Sequence, residues 1–326
     1  MIDVVEPGPL ATLQDQGRPG LARLGVPPSG ACDPWGLAVA NALSAAPPDG
    51  VAAEVTLGGA EFLVIETCTV ALAGADLGAE RDDGGSLAAG AVHLLPAGAR
   101  IRFAGPATGM RAYLGLAGGI VASRVLGSAA TCVQYGMGGI DGRQLRAGDR
   151  LTPARRGDLG AARRTWPARL APHPGRDRGP IRFVPGPDLR HLPATMTDVL
   201  AASTWTVGGS SDRMGLRLEG AALPPGHEIL SHPVVPGAIQ LPADGCPLVL
   251  LVDGPTIGGY PVAGVVPRWQ LPRLGQLRPG DALRLAPQDA SGARAAWQEQ
   301  RRLFAVASEA IRADALWDRL ADGVGG

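Results

Sequence analysis

The sequence predicts a mainly β protein built as two tandem β domains, with a few short helices and a longer helix near the C-terminus. Three observations carry this. The 48 glycines and 30 prolines, nearly a quarter of the 326 residues, are spread evenly between short Val/Leu/Ile runs, a pattern of turn-rich β structure and not of disorder. The two halves also echo each other in order. Val5-Glu6-Pro7-Gly8-Pro9 returns as Phe183-Val184-Pro185-Gly186-Pro187, and Arg18-Pro19-Gly20-Leu21 as Arg213-Met214-Gly215-Leu216. Leu145-Arg146-Ala147-Gly148-Asp149-Arg150-Leu151 returns as Leu277-Arg278-Pro279-Gly280-Asp281-Ala282-Leu283. This R-x-G-D-x-L reads as a tight turn into a closing strand, which suggests barrels or closed sheets without exposed edges. Finally, Trp297, Phe304, Ala307, Ile311, Ala315 and Leu320 recur near one helical face over 293–320.

Taken in order, residues 2–5 form a strand closed by Pro7-Gly8-Pro9. Residues 13–33, LQDQGRPGLARLGVPPSGACD, are too polar and too rich in Gly and Pro for a helix or a half-buried strand, and read as one shaped loop. Asp33 and Pro34 supply an N-cap and a first helical residue. The helix then shows Trp35, Ala38, Val39, Ala42 and Leu43 at helical spacing and ends at Ala46-Pro47-Pro48-Asp49-Gly50. Strand-like runs follow at 51–57, 61–65, 69–73, 92–95, 100–103 and 111–117, and 136–142, GMGGIDG, is a turn cluster. Periodicity fades over 152–180. The expected division is an N-terminal β domain over 1–165, a Pro/Arg-rich linker over 166–180, a C-terminal β-barrel over 181–288 and the helix with its tail over 289–326.

Composition excludes several function classes. The net charge is zero and no basic stripe appears, which argues against a nucleic-acid partner. The longest apolar runs, such as 248–252, are far too short to span a membrane. The N-terminus is acidic and then turn-forming, unlike a signal peptide, so a cytoplasmic protein is expected. All 30 basic residues are arginine, which excludes a Walker A loop and a lysine Schiff base. Any phosphate handling would fall to arginine and backbone N–H groups. The four cysteines are scattered, and Cys32 stands out only because it precedes a helix start. The five histidines show no zinc spacing, so no metal site is expected.

Polar residues in the two echoed regions are the candidates for chemistry. Asp15 and Arg18 are close enough in sequence to pair, either stapling the opening loop or meeting a ligand. Gln14 offers both a donor and an acceptor, and Ser29 and Gly30 lie beside a helix N-terminus suited to an anion. Glu54 stands among apolar neighbours and needs a partner, for which an arginine of the opening loop is the natural choice. Asp76 ends an apolar strand at a glycine turn, where turn capping is the commoner role. In the second half, Ser210-Ser211-Asp212-Arg213-Met214-Gly215 repeats the loop chemistry. Gln240 ends the bend Pro236-Gly237-Ala238-Ile239-Gln240. Asp253 and Tyr260 flank a Gly-rich turn after the most apolar strand, either as a binding edge or as a hairpin turn with a packing Tyr.

These motifs in this order, with 52–62 (AAEVTLGGAEF), 71–79 (ALAGADLGA), 112–120 (AYLGLAGGI), 211–220 (SDRMGLRLEG), 236–240 (PGAIQ) and 258–261 (GGYP), resemble the biotin-dependent carboxyltransferase/allophanate hydrolase subunit 2 family. That family includes the C subunits of prokaryotic ATP-dependent 5-oxoprolinases, also described as KipI antagonists. The resemblance implies two cyclophilin-like β-barrel domains, a small-molecule substrate, ATP shared with partner subunits, and partners resembling the B and A subunits of 5-oxoprolinase. It implies a hydrolase acting on a cyclic amide, in which phosphorylation of the lactam oxygen precedes ring opening and arginines stabilise the charge. The motif loops put forward Asp15, Arg18, Asp212 and Arg213 as catalytic and Gln14, Ser29, Glu54, Gln240, Asp253 and Tyr260 as substrate-binding. Two departures stand out: GPQ-x-D-x-F is here Gly186-Pro187-Asp188-Leu189-Arg190-His191-Leu192, and N-x-L-V-G-N is here Asn41-Ala42-Leu43-Ser44-Ala45-Ala46. The rival readings are a carboxyltransferase acting on a urea-like amide with carboxybiotin borne by a partner, and a non-catalytic protein that binds a regulatory partner.

Overall fold

The computed structural model describes residues 1–155, 164–171, 173, 177–224 and 228–323, with side chains to residue 313. The chain divides into two compact units. The first comprises Met1–Gly17, Asp33–His173 and Arg302–Gly326, and the second Arg18–Cys32 and Pro174–Arg301. The expected linker over 166–180 includes 172 and 174–176, which lie outside the described residues. Trp166 is buried, and its N–H donates to Gly90 O at 2.7 Å.

In the first unit the strands are β1 (Ile2–Pro7), β2 (Leu10–Gln14), β3 (Ala52–Thr56), β4 (Ala60–Val64), β5 (Cys68–Gly74), β6 (Ala79–Arg81), β7 (Ala91–Leu95), β8 (Arg100–Phe103), β9 (Arg111–Leu116) and β10 (Arg150–Leu151), with helix α1 (Pro34–Leu43) between β2 and β3. They form two five-stranded sheets, ordered β10-β1-β4-β8-β6 and β2-β3-β9-β5-β7, around one apolar core. Sheet faces explain the sequence patterns. β4 alternates buried and half-buried residues, whereas β3 and β9 are buried throughout, because α1 covers the sheet face that the core does not. The helix starts as its local signals predict: Asp33 accepts from Gly36 N at 2.9 Å and Pro34 follows.

The second unit holds β11 (Ile181–Pro185), α2 (Met196–Ala202), β12 (Thr204–Val207), β13 (Gly215–Glu219), β14 (His232–Pro233), β15 (Ala238–Gln240), β16 (Leu248–Leu250), β17 (Ile257–Gly258), β18 (Val262–Val265), α3 (Leu271–Leu274) and β19 (Ala282–Pro287). Seven strands close a barrel, β11-β18-β15-β16-β13-β12-β19, sealed by the parallel β11–β19 pair. Phe183 and Trp205 fill its interior. β14 and β17 pair separately as a two-stranded ribbon. Helix α4 (Ala290–Gly323) begins in this unit, where Arg268 stacks over Trp297 at 5.1 Å, and from Arg302 belongs to the first. There Phe304 meets Trp35 and Trp166 edge-on or tilted, with centroids 5.2 and 5.1 Å away. No helix among the described residues is long and apolar enough to cross a membrane.

The sequence echo is visible in space at the two R-x-G-D turns. Asp149 accepts from Arg146 N at 2.7 Å, and Asp281 from Arg278 N at 2.8 Å. Gly148 and Gly280 both have φ of 88°, a conformation that favours glycine, and their N–H groups donate at 2.8 Å to Val4 O and Val207 O respectively.

Candidate functional site

In the first unit the opening loop leaves β2 at Gln14 and is pinned at once. The Asp15 carboxylate accepts from Gly17 N (2.8 Å), Ser128 Oγ (2.6 Å) and Ala129 N (2.6 Å), with Arg124 at 3.6 Å. These bonds tie the start of the loop to 128–129, so Asp15 holds the backbone. Gln14 is fully buried, and its Nε2 donates to Thr12 Oγ1 (2.9 Å) and Thr131 O (3.0 Å). Asp76 caps its turn, accepting from Gly78 N at 2.9 Å.

Glu54 lies 1 % exposed on β3, directly opposite Tyr113 of β9. Tyr113 donates its hydroxyl proton to Glu54 Oε2 at 2.6 Å and accepts from Asp33 N at 2.9 Å. Arg111, two residues along β9 and equally buried, brings Nε to 3.7 Å from Glu54 Oε1. His173 Nε2 lies 2.6 Å from the other Asp33 oxygen. The result is a line running Arg111, Glu54, Tyr113, Asp33, His173, buried as far as Asp33 and half-buried at His173. Sequence reasoning missed Arg111, Tyr113 and His173. The available signal was an arginine and a tyrosine opening an otherwise apolar strand.

In the second unit Arg213 meets one predicted site residue, Asp253, and two residues of the opening loop, Gly30 and Cys32. Its Nε donates to Asp253 Oδ2 (2.7 Å), and its Nη2 to Gly30 O (2.7 Å) and Asp253 Oδ1 (3.4 Å). Nη1 lies 3.3 Å from Cys32 Sγ. Ser29 N donates to Val252 O at 2.9 Å, so the loop and the turn after β16 form one piece. Ser29 is buried with φ of 52°, and its hydroxyl meets no hydrogen-bond partner among the described residues. Arg18 is 2 % exposed and its N–H donates to Pro28 O at 2.7 Å. Asp212 is exposed and folds back on its own turn, accepting from Met214 N (2.7 Å) and Gly215 N (3.3 Å).

Gln240, the last residue of β15, is 2 % exposed, and its Nε2 has no hydrogen-bond partner among the described residues. A Cβ built on Gly258 would lie 2.3 Å from that nitrogen, so β17 runs directly against the amide. Next to Gly258, His232 of β14 places Nε2 3.0 Å from Asp188 Oδ2 without hydrogen-bond geometry, and that oxygen accepts from Val262 N at 2.9 Å. Tyr260 is half-buried in the turn leading to β18. His232 was missed because its partner lies far away in sequence, at the position where Gly-Pro-Asp departs from the family pattern.

A family model described as the carboxyltransferase domain, subdomain A and B, matches residues 24–287. The C subunit of the 5-oxoprolinase of Escherichia coli (strain K12) is 34 % identical over 314 residues, covering 93 % of this chain and 96 % of that protein. The C subunit of the Haemophilus influenzae 5-oxoprolinase is 33 % identical over 290 residues, covering 87 % and 90 %. Among solved structures, the Kluyveromyces lactis urea carboxylase matches with a TM-score of 0.84 at 27 % identity, covering 93 % of this chain and 29 % of that one.

Proposed function

The chain belongs to the carboxyltransferase domain family, subdomain A and B, and on that premise we propose that it is a cytoplasmic subunit of an ATP-dependent 5-oxoprolinase complex that opens 5-oxoproline to glutamate. The observation that carries this reading is coverage. The match to the C subunit of a 5-oxoprolinase runs over 96 % of that protein, whereas the match to urea carboxylase takes in 29 % of a larger chain. The chemistry assigned to the complex is transfer of a phosphoryl group from ATP to the lactam oxygen, followed by addition of water at the ring carbon, cleavage of the C–N bond and departure of phosphate. ATP and the chains resembling the B and A subunits are parts of this proposal.

The geometry supports a division of labour among the candidate residues. Asp15, Asp212 and the Arg213–Asp253 pair hold loops, since their polar atoms are engaged by backbone and side-chain partners. Ser29 Oγ and Gln240 Nε2 are buried polar atoms without protein partners among the described residues, as is Gln14 Oε1, but Gln14 is fastened through its Nε2, which leaves Ser29 and Gln240 the better candidates for touching a ligand. The test is reconstitution of the chain with its partner subunits and measurement of glutamate release from 5-oxoproline with ATP. ATP-dependent release supports the reading, and its absence from a correctly assembled complex overturns it. The likeness to urea carboxylase favours one alternative, carboxyl transfer to a urea-like amide. Biotin-dependent carboxyl exchange in the same assay would establish that instead, with biotin on a partner because this chain has no lysine to carry it.

A further inference from the structure

We propose that the Gln240 carboxamide recognises a cis-amide, the C=O and N–H of a lactam or a urea, in a site bordered by the β14–β17 ribbon and the Asp188–His232 pair. The inference rests on the reading of this chain as an amide-handling subunit, and adds the residue that meets the amide. It starts from an unmet bond. Gln240 is 2 % exposed at the end of a barrel strand, and its Nε2 finds no acceptor among the described residues. Buried polar groups are normally paired, and one left unmatched in a folded protein points to an absent partner.

The surroundings are built around that amide. The ribbon is held as one piece by Ile229 N to Gly259 O (2.8 Å) and Val234 N to Thr256 O (3.0 Å). His232 brings Nε2 to 3.0 Å from Asp188 Oδ2 without hydrogen-bond geometry, and Asp188 holds the start of β18 through Val262 N. At Gly258, any side chain would strike Nε2 with its first carbon, 2.3 Å away. Glycine there is what lets the β17 backbone lie against the amide nitrogen.

The ligand class follows from the chemistry of the group. A primary carboxamide carries a donor and an acceptor side by side, and a lactam presents its C=O and N–H on the same edge. The two pair through two parallel hydrogen bonds, and the pairing holds whichever way round the Gln240 amide lies. A bare anion would have only the donor to bind.

The test uses the full-length chain labelled with nitrogen-15, with 5-oxoproline, 2-pyrrolidinone and N-methyl-2-pyrrolidinone as probes. The Gln240 side-chain NH2 resonances are assigned by their loss in Gln240→Leu, or in the near-isosteric Gln240→Met if the leucine variant does not fold. Both lactams with a free N–H should shift those resonances. Binding should weaken about tenfold in the variant and by a similar factor on N-methylation, as expected when one partner of a buried hydrogen bond is lost. Gly258→Ala should abolish the shift. Resonances that stay in place while a lactam binds, equal affinity in the variant, or no lactam binding at all would each overturn the inference. The two readings fail separately. A complex that releases glutamate with an unaltered KM in the variant refutes only the role of Gln240. A lactam-induced shift in a chain whose assembled complex releases no glutamate refutes only the 5-oxoprolinase reading.

Discussion

Gln14 and Gln240 each end a strand, each is almost fully buried, and each stood out as a candidate for binding substrate, yet the fold treats their amide nitrogens in opposite ways. In the first unit Gln14 Nε2 donates to Thr12 Oγ1 and Thr131 O, fastening β2 to the segment at 131, while its Oε1 meets no donor among the described residues. In the second unit Gln240 Nε2 meets no acceptor among the described residues and faces a glycine. Residue type and burial therefore do not separate a residue that holds the fold from one that recognises a ligand. The state of its hydrogen bonds does. By that criterion Asp15, Glu54, Arg213 and Asp253 are holding residues, although each looked equally suited to chemistry in the sequence.

The sharpest way to break this comparison is Arg213→Ala. Arg213 and Asp253 are 6 % and 7 % exposed, so the variant leaves a buried carboxylate unpaired and frees Gly30 O. Removing one member of a buried pair costs about 3–5 kcal/mol. Urea denaturation should show that loss, with Asp253→Ala close behind. If stability were unchanged and only turnover fell, Arg213 would move to the recognising group. Tyr113→Phe is the next test. It removes a hydroxyl that bridges Asp33 N and Glu54 Oε2 and should cost about 1–3 kcal/mol in the same assay. A cost near zero would mean that the line from Arg111 to His173 adds little to the first unit.

What was legible in the sequence was local. Asp33 and Pro34 announced α1 because an N-cap and a first-turn proline act within four residues. The apolar face of α4 gave the helix, though it runs from Ala290, three residues before the periodic stretch begins. Glycine, proline and short apolar runs gave the β class, and the family resemblance gave the barrel. Pairing across strands was not legible. Glu54 faces Tyr113 because β3 and β9 are neighbours in one register, and nothing within either strand specifies that. Arg213 and Asp253 were both singled out, but their union spans 40 residues and depends on β13 pairing with β16. His232 and Asp188 were invisible as a pair for the same reason.

The smallest expected effect belongs to the two echoed turns, and it tests whether the echo extends to energetics. Both turns close the same way through their aspartates, but Asp149 is also braced by Arg143, which donates from both terminal nitrogens at 2.7 and 2.8 Å. Asp281 has Arg278 of its own turn at 3.5 Å. The bonds from Arg143 hold the Asp149 carboxyl below the usual carboxylate range. Its pKa is thus lower folded than unfolded, so its contribution is complete above the unfolded value of about 4 and disappears as pH falls through the folded value. The pair is partly open to solvent, with side chains 23 % and 13 % exposed. Asp149→Asn should therefore cost no more than about 1 kcal/mol at pH 7, and Asp281→Asn roughly half as much. Near pH 3 the wild-type advantage over Asp149→Asn should narrow, since acid weakens the same pair. Urea midpoints of the wild type and both variants at pH 7 and pH 3 decide this. A constant difference for Asp149→Asn would show that Arg143 orders the turn without stabilising it, and that the two turns are equivalent in energy as well as in shape.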